Sequence, residues 1–305
     1  MAVHNKLLLA SIITVVVVVL VSFGLSAVSS LDDPPIHLYK HNMSYLSDKY
    51  HHGVKPAAWT FSIWGLIYFW QALWLIFAIV NVFRKVDDIP AYINPVILQP
   101  SLFFVYAFNY CLTTAWSFVF DREILEASFG ILVVVPFTLY FCLFVAYKKL
   151  AEHNQILSKQ GRHIEIWLHR IFVHNGLGIY AAWTTIAALL TLTTLLIYRC
   201  DVDYETAGTI SLGVLSAEFA IFVGTDLFLF DRFSRYTLTP YLVVPYALGG
   251  VLSENWNSQK TNSIFSAALL GIGLAAIVLK LIMMFMRHCR KSKSEDLIKS
   301  SSVEP

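Results

Sequence analysis

Charge is scarce in this chain. Asp, Glu, Lys and Arg make up 14% of 305 residues, against 57% hydrophobic content and a mean hydropathy of +0.63. That balance excludes an ordinary water-soluble domain and points to a chain that hides its apolar surface in lipid. The net charge is only +2, and no basic run is interleaved with aromatics, which excludes a nucleic-acid-binding surface. There are four cysteines, Cys111, Cys142, Cys200 and Cys289, with no metal-ligand spacing and no evident disulfide pairing. Nucleophile–base pairs, phosphate loops and metal-hydrolase motifs are also missing, so neither an enzyme, nor a resident cofactor, nor a metal centre is expected.

What the chain has in abundance is long apolar runs. A run of about 20 residues crosses the roughly 30 Å hydrocarbon layer as a helix. Eight such spans are predicted, at 7–28, 59–83, 99–120, 127–147, 170–198, 206–230, 236–253 and 265–286, giving an all-α, multi-pass membrane bundle. The first run exceeds the 7–15-residue core of a signal peptide and is expected to be retained. With both termini cytoplasmic, inner segments carry fifteen Lys and Arg and outer segments six, the asymmetry that sets orientation. Asn42-Met-Ser44 then becomes an outward-facing glycosylation sequon, which favours a secretory-pathway or plasma membrane over the mitochondrial outer membrane.

The outer loop 29–58 holds His37, His41, His51 and His52, without the carboxylate or Cys that would complete a ligand pattern. Residues 287–305 are expected to be disordered beyond a basic patch that meets anionic lipid. Gly271 and Gly273 lack the four-residue spacing of a tight dimer motif, and a homodimer is left open.

Ionisable side chains at membrane depth are costly and therefore informative. Glu218 falls mid-span, with Asp226 toward the cytoplasmic end of the same run and Lys280 at a similar depth in the last. An Asp226–Lys280 pair holding these helices together is expected. Glu218 is left without a partner at its own depth, and with Asp226 it offers a relay for a proton-coupled carrier.

The chain is organised around Lys55 to Tyr68, a proline-ended loop that turns into an apolar helix carrying Trp59, Phe61, Trp64 and Tyr68. Such aromatics either anchor a membrane interface or wall a pocket for a flat apolar ligand. The spacing Pro-x-x-Trp-x-Phe-x-x-Trp-x-x-x-Tyr from Pro56 resembles the signature of the TspO family, the translocator or tryptophan-rich sensory proteins. Ala107 to Phe120, with Asn109 and Trp116, is similar to that family's third helix, and Tyr180 to Leu190, with Trp183, to its fifth.

The resemblance covers about residues 1–198 and implies a five-helix domain, leaving 199–286 as three further helices. It also implies a cavity for a porphyrin- or sterol-class ligand, lined by Trp59, Phe61, Trp64, Tyr68, Asn109, Trp116 and Trp183 and lidded by the outer loop. The chain departs from the pattern at the single Pro56, and at Leu190-Thr-Leu-Thr193 where the family places an Asn. A seven-helix receptor is the weaker alternative, since neither Asp-Arg-Tyr nor Asn-Pro-x-x-Tyr occurs where such a protein needs it.

Overall fold

The computed structural model describes residues 4–29, 31, 38–41 and 43–301, the side chains of 43–44 and 290–301 excepted. The sequon residue Asn42 and His37 lie outside the described residues. The chain folds as a helical bundle in which each helix satisfies its own backbone hydrogen bonds, as a lipid solvent demands.

Helix α1 (Lys6–Ser29) lies against α3 (Ile63–Phe83) and α4 (Pro100–Asp121). Pro100 starts α4 at a position where its missing N–H costs nothing. α4 packs on α5 (Leu125–Lys159), and α5 packs on α7 (Asn175–Cys200), which also meets α3. α7 continues α6 (His163–Leu168) through a π-helical turn, His169–His174, so the two form one long rod. Between α3 and α4 a small hairpin pairs Lys85–Val86 with Ile89–Pro90. Its turn residues Asp87 and Asp88 both have positive φ, 51° and 61°, the conformation a two-residue hairpin loop requires. A short helix α2 (Met43–Lys49) belongs to the outer loop.

Beyond α7, α8 (Tyr204–Gly224) runs into a second π-helical turn, Thr225–Leu229, and a single turn α9 (Asp231–Ser234). Then come α10 (Thr239–Asn255) and α11 (Thr261–Ser301). α8 and α10 both pack on α7 and on α11, so these helices share one wall with the first five spans.

Seven helices among the described residues are long and apolar enough to cross a membrane. The expected span 236–253 is the 17-residue α10, about 25 Å long at 1.5 Å per residue and not among those seven; it runs from Asn175 at the start of α7, which accepts from the backbone N–H groups of Leu238 and Thr239, to the outer loop, where Asn255 donates to Lys55 O. The segment after Arg287, expected to be disordered, is drawn into α11 as far as Ser301, in a sequence with no Gly or Pro to stop a helix.

Candidate functional site

Below the outer loop, α1, α3, α4 and α7 line a partly open cavity of about 450 Å³. That lies in the 300–1,000 Å³ range of small-molecule sites. The lead-in to α3 shapes one wall. Pro56 and Ala57 precede a 3₁₀ turn, Ala58–Ser62, whose three residues per turn send successive side chains about 120° apart. Phe61 therefore enters the cavity, Thr60 is buried toward α10, and Trp59 points outward, 52% exposed.

Trp64 and Tyr68, one helical turn apart, continue the wall that Phe61 begins. Trp183 meets Phe61 and Trp64 edge to face, with ring centroids 6.1 and 6.4 Å apart. Trp116 stacks on Phe120 at 5.6 Å and closes the α4 side. Two predicted lining residues lie elsewhere. Trp59 donates its indole N–H to Ser253 Oγ at 3.3 Å and packs edge-on against Tyr246, because the 3₁₀ turn rotates it away. Asn109 is fully buried and donates from Nδ2 to Val135 O (2.9 Å) and Thr138 Oγ1 (2.7 Å), joining α4 to α5. Asn109→Ala is expected to lower stability by about 1–3 kcal/mol through those lost partners, while ligand affinity stays within twofold. Thermal unfolding and binding on one preparation separate the two.

Sequence reasoning missed the α1 wall, where Ser22, Ser26 and Ser29 share one face at the i, i+4, i+7 spacing that marks it. Thr114 Oγ1 donates to Ser22 Oγ (3.0 Å), and Ser26 and Tyr68 share a hydrogen bond of 2.9 Å. It also missed His52 and Lys55, loop residues with no periodicity to betray them. Burial, with Lys55 and His51 nearby, pushes His52 down to about 3, so its imidazole is neutral at physiological pH. Among the described histidines of the loop, His41 faces Asp121 and His51 is exposed, so the loop does not gather them at one point.

The loop is tied to the bundle by carboxylates at the end of α4. Asp121 accepts the backbone N–H groups of Lys40 and His41 at 2.9–3.0 Å. Glu123 accepts from Lys49 and Tyr50, and those hydrogen bonds hold its carboxyl below the usual range.

The sequence model of the TSPO-like protein family matches residues 6–283. The chain belongs to that family. No curated protein and no solved structure matches it. The match in this TSPO-like protein runs through α8 and α10 and into α11, helices that the sequence resemblance leaves outside a five-helix domain.

The structure gives those helices a place at the site. Ala57 N donates to Gly250 O (3.0 Å), Tyr246 O–H to Thr60 O (3.1 Å), and Asn255 Nδ2 to Lys55 O (2.7 Å). Thus α10 grips the segment that carries Phe61 into the cavity. Farther in, Asp226 and Lys280 meet at 2.6 Å, buried to 5% and 1% exposure, and Tyr241 donates to the same Asp226 oxygen at 2.6 Å. Lys280 also donates to Ser234 O at 3.2 Å. Glu218 is exposed on the outer face of α8, with no hydrogen-bond or ion-pair partner among the described residues.

Proposed function

We propose that this multi-pass membrane protein is a binding protein, not a catalyst, which takes a flat apolar ligand of the porphyrin or sterol class into the cavity between α1, α3, α4 and α7. One observation carries the reading: a partly open space of about 450 Å³ lined by Phe61, Trp64, Tyr68, Trp116 and Trp183. Ring faces and edges at such spacing suit a planar hydrophobic body. Sensing and transport both begin with this binding step. The proton-coupled carrier has less support, since Asp226 is occupied by Lys280 and Tyr241 and Glu218 faces away from the cavity.

The test is a titration of the detergent-purified protein with protoporphyrin and, separately, cholesterol, followed by tryptophan fluorescence. Saturable quenching is expected. It should weaken several-fold in Trp64→Phe and Trp183→Phe and stay unchanged in Trp59→Phe, whose indole lies outside. Absence of a saturable response to both ligands rejects the reading.

A further inference from the structure

The cavity is not uniform from one end to the other. Its interior is ringed by aromatic side chains, whereas its mouth carries Asp48, Tyr50, His52 and Lys55. Lys55 Nζ lies 2.8 Å from Asp48 Oδ1, but the two differ in setting: the Lys55 side chain is 13% exposed and that of Asp48 75%. The Asp48 side chain is far more open to water than that of Lys55. A pair with so exposed a carboxylate is weakly held. His52 is 3% exposed and its Nδ1 has no hydrogen-bond partner, a buried polar atom left open beside the same space.

These groups are held in place before any ligand arrives. Lys55 N donates to His52 O at 3.0 Å, closing a turn, and Tyr198 O–H donates to His51 O at 2.9 Å. Asn255 Nδ2 fixes the carbonyl of Lys55 from α10. The neighbouring Lys49 is directed away, onto Glu123.

We propose that the ligand is an amphipathic acid, whose flat apolar body lies among the rings and whose carboxylate displaces Asp48 from Lys55 and takes a hydrogen bond from His52. The inference rests on the cavity being a binding site and adds the chemistry of the ligand's polar end. A carboxylate is the complement of an ammonium on a mostly covered side chain beside an imidazole N–H donor. A neutral hydroxyl, as on a sterol, would leave the Lys55–Asp48 pair undisturbed.

The experiment compares protoporphyrin with its dimethyl ester, the same ring with both carboxylates capped, on the full chain in detergent. The parent is expected to bind the acid at least tenfold tighter than the ester. Lys55→Met keeps the apolar stem and should weaken the acid about tenfold while leaving the ester unchanged, which also reports that the variant is folded. Asp48→Asn removes the competing carboxylate and should tighten the acid two- to threefold. Equal affinity of the parent for both probes, or an equal loss of both in Lys55→Met, overturns acid recognition and leaves the cavity standing. If neither probe binds the parent, the cavity reading falls and this inference with it.

Discussion

Lys280→Met is expected to cost about 3–5 kcal/mol of stability, because it leaves the Asp226 carboxylate buried without its cation. The methionine keeps the stem's volume, so the loss is electrostatic and not a cavity effect. Asp226→Leu should cost a similar amount for the mirror-image reason. Together the two changes replace an ion pair with apolar groups, and the double variant should lose less than the sum of the singles by about 1–3 kcal/mol. Denaturant unfolding in detergent measures the cycle. Additive losses would mean that the 2.6 Å contact does not bind the π-helical turn after α8 to α11.

The second large effect is expected at a glycine. A Cβ built on Gly250 would fall 2.1 Å from Thr60 Oγ1 and 3.0 Å from Thr60 Cβ, and Thr60 is fully buried. Gly250→Ala therefore forces α10 and the 3₁₀ turn apart, an overpacking cost of about 1–3 kcal/mol. Since Phe61 rides on that turn, protoporphyrin affinity should fall at least tenfold, although Gly250 itself does not line the cavity. Thr60→Ala removes both the hydroxyl and the methyl group that clash. Thr60→Ala/Gly250→Ala should recover most of the lost stability and binding. A Gly250→Ala protein that binds like the parent would show that α10 does not position the lead-in to α3.

The membrane bundle was legible in the sequence, because a lipid solvent leaves a coarse trace: one long apolar run per helix, with Lys and Arg gathered between them. The motif aromatics divide according to backbone geometry. Trp64 and Tyr68 sit in regular α-helix, where four-residue spacing reliably means a shared face. Trp59 and Phe61 sit in a 3₁₀ turn, where two-residue spacing leaves them about 120° apart, so they do not share one face.

Asn109 reads from the motif as a cavity residue, and its partners Val135 and Thr138 on α5 place it in a helix-to-helix contact. His52 and Lys55 became informative only when the loop was folded over the cavity. The fit of Gly250 to Thr60 joins residues 190 positions apart, which no pattern along the chain encodes.

The most direct test of the account is protoporphyrin binding to Ala187→Trp. Ala187 lines the cavity from α7, and an indole there fills space that the ligand needs. Leu242→Trp, on the exposed face of α10, serves as the control for an added indole. The account predicts at least a tenfold loss of affinity in Ala187→Trp, with a parent-like helical spectrum, and unchanged affinity in Leu242→Trp. Parent-like binding in Ala187→Trp would contradict it and move the ligand out of the space between α1, α3, α4 and α7.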